Sequence, residues 1–484
     1  MGREKQIVNE RIRKVKELRE NGVNPYPAKF NKKYDVGFCL KSKLGTKVKT
    51  AGRLMMKRDL GKISFGTLMD FSGQIQIVLQ DKKTPQKIFD LFKKYIDGGD
   101  FVGLEGEIIK TKTGQLSILV KKFELLTKSI LPLPSKWHGL KDEEERYRKR
   151  YVDMIMNPEL KQVFVKKALF WNSMRTFLLE RSFVEVETPV LETTAGGAAA
   201  EPFATHHNAL DMDVYLRISM GELWQKKLMV AGFDKTFEIG RQFRNEGMDA
   251  EHLQDYTQME FYWGYANYED GMKLVREMYI KIAKQVFGKT KFTRNGLNFD
   301  LAKKWKVIDY ATEIKKHTKL DIFKASKKDL ERKLNQLKIK YDTKIDKWRL
   351  IDLIWKFYRK KIAGPAFLTG QPVEISPLAK KDIKNNKTVQ QFQVLIAGSE
   401  VGNGYSELND PFDQEERFER QMELKEQGDV EAQDHDKDFV EALKYGMPPT
   451  CGFGVSERLF SFLEGTSIRE TVLFPLMKPD KKKK

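Results

Sequence analysis

Three stretches of the sequence combine residue types that can handle a nucleotide and a carboxylate. The first runs Phe237-Glu-Ile-Gly-Arg-Gln-Phe-Arg244-Asn-Glu246-Gly and continues through His252, Tyr256 and Met259-Glu260-Phe-Tyr262. Two predicted strands flank a loop that carries Arg, Glu and His where a hairpin turn normally carries Gly, Asn or Asp. A planar guanidinium such as that of Arg244 pairs bidentately with phosphate or carboxylate, and an aromatic ring at the loop's return offers a face for a nucleobase. A salt-bridged surface hairpin has the same pattern. The second stretch is Gly452-Phe-Gly454-Val-Ser-Glu-Arg458-Leu. Its glycines permit close approach beneath a triphosphate, and Arg458, expected to be buried, can neutralise the outer charge. The third is Arg181-Ser-Phe-Val-Glu-Val-Glu-Thr-Pro189 with Ala195-Gly-Gly-Ala-Ala-Ala200. The proline suits a helix-to-strand junction at a sheet edge, and the small-residue run admits a ligand against the backbone.

These stretches need a scaffold. Residues 136–478 read as one large α+β domain of long helices mixed with strands. Within it, 297–362 is rich in Lys and Leu at helical spacing and reads as a helical insertion. Ahead of it, 46–135 read as five short strands, Val48–Met55, Ile63–Asp70, Gln74–Leu79, Phe101–Ile109 and Leu116–Val120, punctuated by glycine turns. A helix with Ile88, Leu91, Phe92 and Tyr95 on one face follows the third strand. Five strands with a helix after the third is the plan of an OB-fold barrel, which commonly binds nucleic acid across its second and third strands. Phe65 and Gln76 lie there: the ring is either core or a stacking platform, and the amide can read a base edge. Residues 1–45 lead in with a basic helix whose stripe is Val8, Ile12, Val15 and Leu18. Arg11, Arg13, Lys14, Lys16 and Arg19 flank that stripe, and Asn21-Gly22 and Asn24-Pro25 stop the helix. Leu131-Pro-Leu-Pro134 is a stiff linker, and 479–484 form a basic tail.

The composition narrows the classes. The chain has 484 residues, and 88 Lys and Arg against 68 Asp and Glu give a net charge of +20. That charge suits a polyanionic partner. No run of about 18 apolar residues exists to span a membrane, and the N-terminus is charged rather than apolar, so a cytoplasmic protein is expected. Cys39 and Cys451 are too few and too far apart for a disulfide framework or a thiolate zinc site. His206-His207 lacks metal-ligand spacing.

Taken together, in this order and spacing, the three stretches resemble motifs one, two and three of the class II aminoacyl-tRNA synthetases. Further segments are similar to the class II lysyl-tRNA synthetases. They are Pro202-Phe203 with His206-His-Asn-Ala-Leu210, Arg217-Ile-Ser with Glu222-Leu, Ile375-Ser-Pro-Leu-Ala-Lys380, Glu400-Val-Gly-Asn403-Gly-Tyr405-Ser-Glu407-Leu-Asn-Asp410 and Tyr445-Gly-Met-Pro-Pro-Thr450. The barrel adds Gly52-Arg53-Leu-Met and Thr111-Lys-Thr-Gly114. The likeness covers nearly the whole chain.

The resemblance implies an N-terminal OB-fold anticodon-binding domain and a C-terminal antiparallel-sheet catalytic domain in a homodimer, with motif one at the interface. It implies ATP-dependent activation of L-lysine and transfer to the 3′ end of tRNA(Lys), with Mg²⁺ as cofactor and no membrane. By the same resemblance, Arg244 binds the lysine carboxylate and the ATP α-phosphate, and Arg458 assists catalysis at the phosphates. The Gly197 carbonyl, Glu222 and Glu260 hold the α-ammonium. Glu407, with Tyr262, Asn403 and Tyr405 around it, holds the ε-ammonium. Glu246, His252 and Tyr256 contact ATP, and Glu400 holds Mg²⁺. Phe65, Gln76 and Gln115 meet the anticodon.

The sequence also departs from that family. A carboxylate usually stands at position 393, where this chain has Gln393. Glu usually stands where it has Gln115, and Phe where it has Tyr256. The segment Gly452–Arg458 is about one residue short, and Arg217–Glu222 about one residue long. Two other activities share parts of this pattern. A lysyltransferase acting on protein would lack the barrel, and a silent RNA-binding paralogue would lack Arg244, Glu246, Glu407 and Arg458.

Overall fold

The computed structural model describes residues 2–479, except 135–141, 199, 248, 250–251, 343–344, 427–434 and the side chain of Leu424. The expected tail from residue 480 onward, Ala199 of the small-residue run and Lys141 lie outside the described residues. The chain divides into two compact units, Met1–Glu159 and Leu160–Lys484. The helices Glu143–Arg148 and Arg150–Met156 therefore group with the first unit, although the sequence placed 136 onward with the large domain.

In the first unit, β1 (Lys47–Asp59), β2 (Ile63–Met69), β3 (Gln74–Gln80), β4 (Phe101–Lys110) and β5 (Leu116–Thr127) close into a barrel of order β1-β2-β3-β5-β4. Alternation sets the inside: Leu54, Leu68, Ile77, Leu104, Ile118 and Val120 are buried in one cluster. The helix Gln86–Tyr95 adds Phe89 and Phe92 to it. β1 and β5 run beyond their expected ends because charged residues continue the pairing. Lys57 and Arg58 sit opposite Gly66 and Phe65.

The N-terminal helix spans Arg3–Glu20, but its buried face is Arg11, Val15 and Leu18, while Ile12 is exposed. Arg11 was expected on the flank. Its guanidinium instead donates to the carbonyls of Ser129, Leu131 and Gly98 at 2.9–3.1 Å, and these acceptors make the buried charge tolerable.

The second unit is built on a sheet of eight strands: β6 (Val184–Glu185), β10 (Lys235–Phe243), β11 (Asp255–Gly264), β14 (Lys306–Asp309), β15 (Ala366–Thr369), β16 (Gln391–Ile396), β17 (Ser399–Ser406) and β18 (Thr450–Ser456). The order is β14-β15-β16-β17-β18-β11-β10-β6, antiparallel except at the two ends. A three-stranded sheet comprises β7 (Leu191–Glu192), β8 (Ala204–His207) and β9 (Met212–Leu216). β12 (Lys291–Arg294) and β13 (Leu297–Asp300) form a hairpin.

One face of the large sheet is core. Met259, Phe261, Phe392, Phe453 and Val455 pack there with Leu274, Met278, Tyr279 and Ile282 of the helix Tyr268–Phe287. An Asn267–Asp270 capping box starts that helix, and Gly288, at φ 66°, ends it. The segment 297–362 is not wholly helical as the sequence suggested, because β13 and β14 lie within it. β14 pairs with β15 and extends the sheet. The helices Tyr310–Thr318, Lys327–Gln336 and Lys347–Arg359 then form a separate core of Ile314, Leu330, Leu334, Leu350, Ile354 and Trp355.

Candidate active site

The other face of the sheet floors a cavity of about 610 Å³. Period-two alternation puts Tyr256, Gln258, Glu260 and Tyr262 of β11 on that face, and all four line the cavity. Strand register arranges the floor into transverse rows. Tyr262, Gly452, Tyr405 and Gln391 lie opposite one another across four strands, and Glu260, Gly454, Asn403 and Gln393 form the next row. Rows two residues apart are about 7 Å apart. Glu407, just past β17, reaches the first row. A Cβ on Gly452 would overlap Glu407 Oε1 and sit 2.8 Å from Tyr262 Cε1, so only glycine leaves the carboxylate its place.

Three buried carboxylates meet here. Glu260 Oε1 accepts from the Met220 amide at 3.0 Å and from Gln258 Nε2 at 2.6 Å, and its Oε2 accepts from Tyr262 Oη at 3.1 Å. Burial, with repulsion from Glu222, pushes its pKa up to about 7. Glu222 opens the helix Glu222–Val230 and accepts from Tyr405 Oη. Glu407 is 1% exposed, and burial pushes it up to about 8. Lys226 opposes that rise, while Glu222 and Glu260 add to it.

Tyr262, Asn403 and Tyr405 line the same cavity as Glu407 and hydrogen-bond other groups. Tyr405 bonds Glu222, Tyr262 bonds Glu260, and Asn403 Oδ1 accepts from Gln391 Nε2 at 2.8 Å. The neighbour of Glu407 Oε2 is Lys226 Nζ, at 2.6 Å. Lys226 did not stand out in the sequence. The available signal was a lysine at i+4 from Glu222 on a helix face shared with Leu223 and Met229, all buried.

Cations and the charged loop line other parts of the same cavity. Arg244, half-buried, donates from Nε to the Ile218 carbonyl at 3.3 Å, and its guanidinium lies 5.9 Å from the Tyr256 ring centre. Tyr256 Oη accepts from Gln242 Nε2 at 2.5 Å. Glu246 and His252 also line the cavity; His252 Nδ1 is 2.8 Å from the Asp249 carboxylate. Arg458 begins the helix Arg458–Glu464 and is half-buried rather than buried, because it faces the cavity instead of the core. Gly197, at φ 83°, also lines the cavity; a Cβ there would lie 2.6 Å from Ser219 Oγ. Sequence reasoning missed Asp346, Arg349 and Asp352, which the last helix of the 297–362 segment brings to this cavity.

Glu400 and Gln393 both line the cavity. Glu400 Oε1 accepts from Trp355 Nε1 at 2.9 Å, and Oε2 lies 3.1 Å from Arg359 Nη1. Each oxygen keeps a lone pair for a hard cation. Among the described residues no group of three His, Cys, Asp or Glu could hold a metal on protein ligands alone. One carboxylate and one neutral amide oxygen fit a Mg²⁺ that shares its shell with phosphates and water.

In the barrel, Phe65 is half-buried on the outer face of β2 opposite Val78. Gln76, on the same face, accepts from Ser117 Oγ at 2.8 Å. Gln115 is exposed at the end of the Thr111–Gln115 turn.

Residues 142–478 match the family model of class II tRNA synthetases (D, K and N), and residues 48–126 match that of the OB-fold nucleic acid binding domain. The lysine–tRNA ligase of Thermosipho africanus is 42% identical over 98% of this chain and 96% of its own length. Those of Thermoanaerobacter sp. (strain X514) and Clostridium perfringens are each 43% identical, over 98% and 97% of this chain respectively and 96% of their own lengths.

Proposed function

The chain belongs to the class II lysine–tRNA ligases, and on that premise we propose how its cavity activates L-lysine with ATP before transfer to tRNA(Lys). The observation that carries the reading is the spacing of the carboxylates on the floor. The Glu260 side chain lies against Gly454 and the Glu407 carboxylate against Gly452, one row apart, and one row is about the length of an extended lysine side chain. Glu260 and Glu222, with the Gly197 carbonyl, take the α-ammonium, and Glu407 takes the ε-ammonium. Arg244 draws the carboxylate and the α-phosphate together, Tyr256 stacks on adenine, and Glu246 and His252 hold the nucleotide. The lysine carboxylate then attacks the α-phosphorus in line and pyrophosphate leaves with the electron pair of the broken P–O bond. A terminal ribose hydroxyl of tRNA next attacks the lysyl carbonyl, and AMP departs.

No protein nucleophile is needed. Positioning, and charge stabilisation by Arg244 and Arg458, provide the acceleration. The family generally uses Mg²⁺; Glu400, with Gln393 beside it, would hold the ion, which when bound supplies positive charge to the phosphates.

The outer barrel face with Phe65, Gln76 and Gln115 receives the anticodon. The protein acts as a homodimer in the cytoplasm. Val165, Leu169 and Leu179 of the helix Leu160–Leu179, and Val184, Val190 and Leu191 on either side of Pro189 in sequence, are 41–49% exposed, apolar side chains available to a second copy. The OB-fold match disfavours a protein lysyltransferase.

ATP–pyrophosphate exchange across the amino acids, followed by charging of tRNA(Lys), tests the reading. Exchange driven by lysine alone and transfer to tRNA(Lys) are expected. Exchange driven equally by another amino acid, or none at all, overturns it.

A further inference from the structure

Lys226 is a buried cation with no part in the scheme above. Its side chain is 1% exposed. Nζ lies 2.8 Å from Glu222 Oε1 and 2.6 Å from Glu407 Oε2, with the Tyr405 and Phe439 rings 5.5 and 5.8 Å away. It therefore bridges the carboxylate assigned to the α-ammonium and the one assigned to the ε-ammonium.

The charges around this point can be assigned by element. The helix Glu222–Val230 supplies Glu222 and Lys226. β11 supplies Glu260 and Tyr262, β17 supplies Tyr405, and Glu407 follows it. β18 supplies the Cys451 thiol, held protonated by burial and by the nearby Glu407. On β10, Glu238 is taken by Arg217 at 2.6 Å, and on the helix Lys437–Lys444, Asp438 is taken by Lys227. Three carboxylates face one ammonium, so a ligand with two ammonium groups can balance the pocket.

On the reading that this pocket receives lysine, we propose that Lys226 is a positioning residue that selects a diammonium substrate. Its fixed cation holds the Glu222 and Glu407 carboxylates at a set separation, offsets part of the rise that burial gives the Glu407 pKa, and leaves a deficit that two ammonium groups fill and one does not. A buried anion without its counter-cation takes up a proton. Without Lys226 the Glu407 carboxyl holds its proton more tightly, and its protonated form does not demand an ammonium.

Lys226→Met removes the charge at similar volume, and Lys226→Arg keeps it. Lysine binding is measured by calorimetry from pH 6 to 9, with norleucine as the monoammonium comparison and thermal melting as the check on folding. The Met variant is expected to bind lysine at least about tenfold more weakly at pH 7, the equivalent of one pKa unit, with the deficit closing towards pH 9. Its preference for lysine over norleucine falls, and the Arg variant follows the wild type. A deficit independent of pH, or tighter lysine binding by the Met variant, overturns the proposal.

The wild type gives a test that needs no variant. In buffers of different ionisation enthalpy, lysine binding at pH 7 is expected to release more protons than norleucine binding, because both α-ammonium groups face Glu260 and only lysine also ionises Glu407; equal release overturns the proposal. A wild type that binds no lysine at any pH sinks the reading of the pocket itself.

Discussion

Glu407→Gln isolates the charge proposed to face the ε-ammonium while preserving shape. Removing one partner of a buried ion pair costs about 3–5 kcal/mol. At pH 7 the wild type must first ionise a carboxyl whose pKa is near 8, and one pKa unit is worth about 1.4 kcal/mol. The net loss at pH 7 is therefore about 1.5–3.5 kcal/mol, or roughly 15- to 400-fold in kcat/KM for lysine. Lys226 keeps Glu222 as partner at 2.8 Å, so the variant retains its fold. At pH 8.5 the wild-type carboxyl is largely ionised on its own and the offset disappears, so the gap widens towards the full 3–5 kcal/mol, about two to four decades. The assay is lysine-dependent ATP–pyrophosphate exchange at both pH values, with melting as the folding control. A loss below about fivefold at both, or a gap that narrows as pH rises, refutes the assignment of Glu407 and the sign of its ionisation.

Gly452→Ala places a methyl against Glu407 and the Tyr262 ring; an overpacking cost of about 1–3 kcal/mol is expected to raise KM for lysine while KM for ATP stays near wild type, as exchange kinetics will show. Phe65→Ala is expected to weaken tRNA charging by about 1–3 kcal/mol of lost stacking and to leave exchange intact; a parallel fall in both makes Phe65 a packing residue. Gln393→Glu adds a carboxylate beside Glu400, so the half-saturating Mg²⁺ concentration of exchange should drop, whereas Glu400→Gln should nearly abolish exchange. Sedimentation at micromolar concentration should give about twice the 56.4 kDa chain mass, and an active monomer would remove the dimer from the picture.

Patterns that repeat along the chain were legible in the sequence. The barrel strands announced themselves by period-two alternation between glycine turns, and β10 and β11 by the charged loop they flank. Features that depend on where a single side chain finds its partner were not. Arg11 sits inside because three carbonyls remote in sequence converge on it, and nothing in the local pattern marks them. Lys226 lay hidden in a Gln-Lys-Lys run of a lysine-rich chain; its meaning depends on Glu407, which arrives from another strand. The clamp of Trp355 and Arg359 on Glu400 joins a segment read as an insertion to a carboxylate that lines the cavity. The strands β13 and β14 were missed because the helices after them dominate the Lys- and Leu-rich composition.

The two-faced sheet constrains which changes of length this protein can survive. Along β11 and β18, side chains alternate between ligand and core: Glu260 and Tyr262 against Met259 and Phe261, Gly452 and Gly454 against Phe453 and Val455. Gaining or losing one codon inside either strand would turn phenylalanines into the substrate chamber and carboxylates into the oil behind it. Two residues would restore the facing but displace every row by one lysine length. Insertional scanning should therefore find these strands intolerant of any indel, and the surface loops outside the cavity permissive. New amino-acid specificities are then reachable on this scaffold by replacing side chains in fixed rows and not by sliding the frame that holds them.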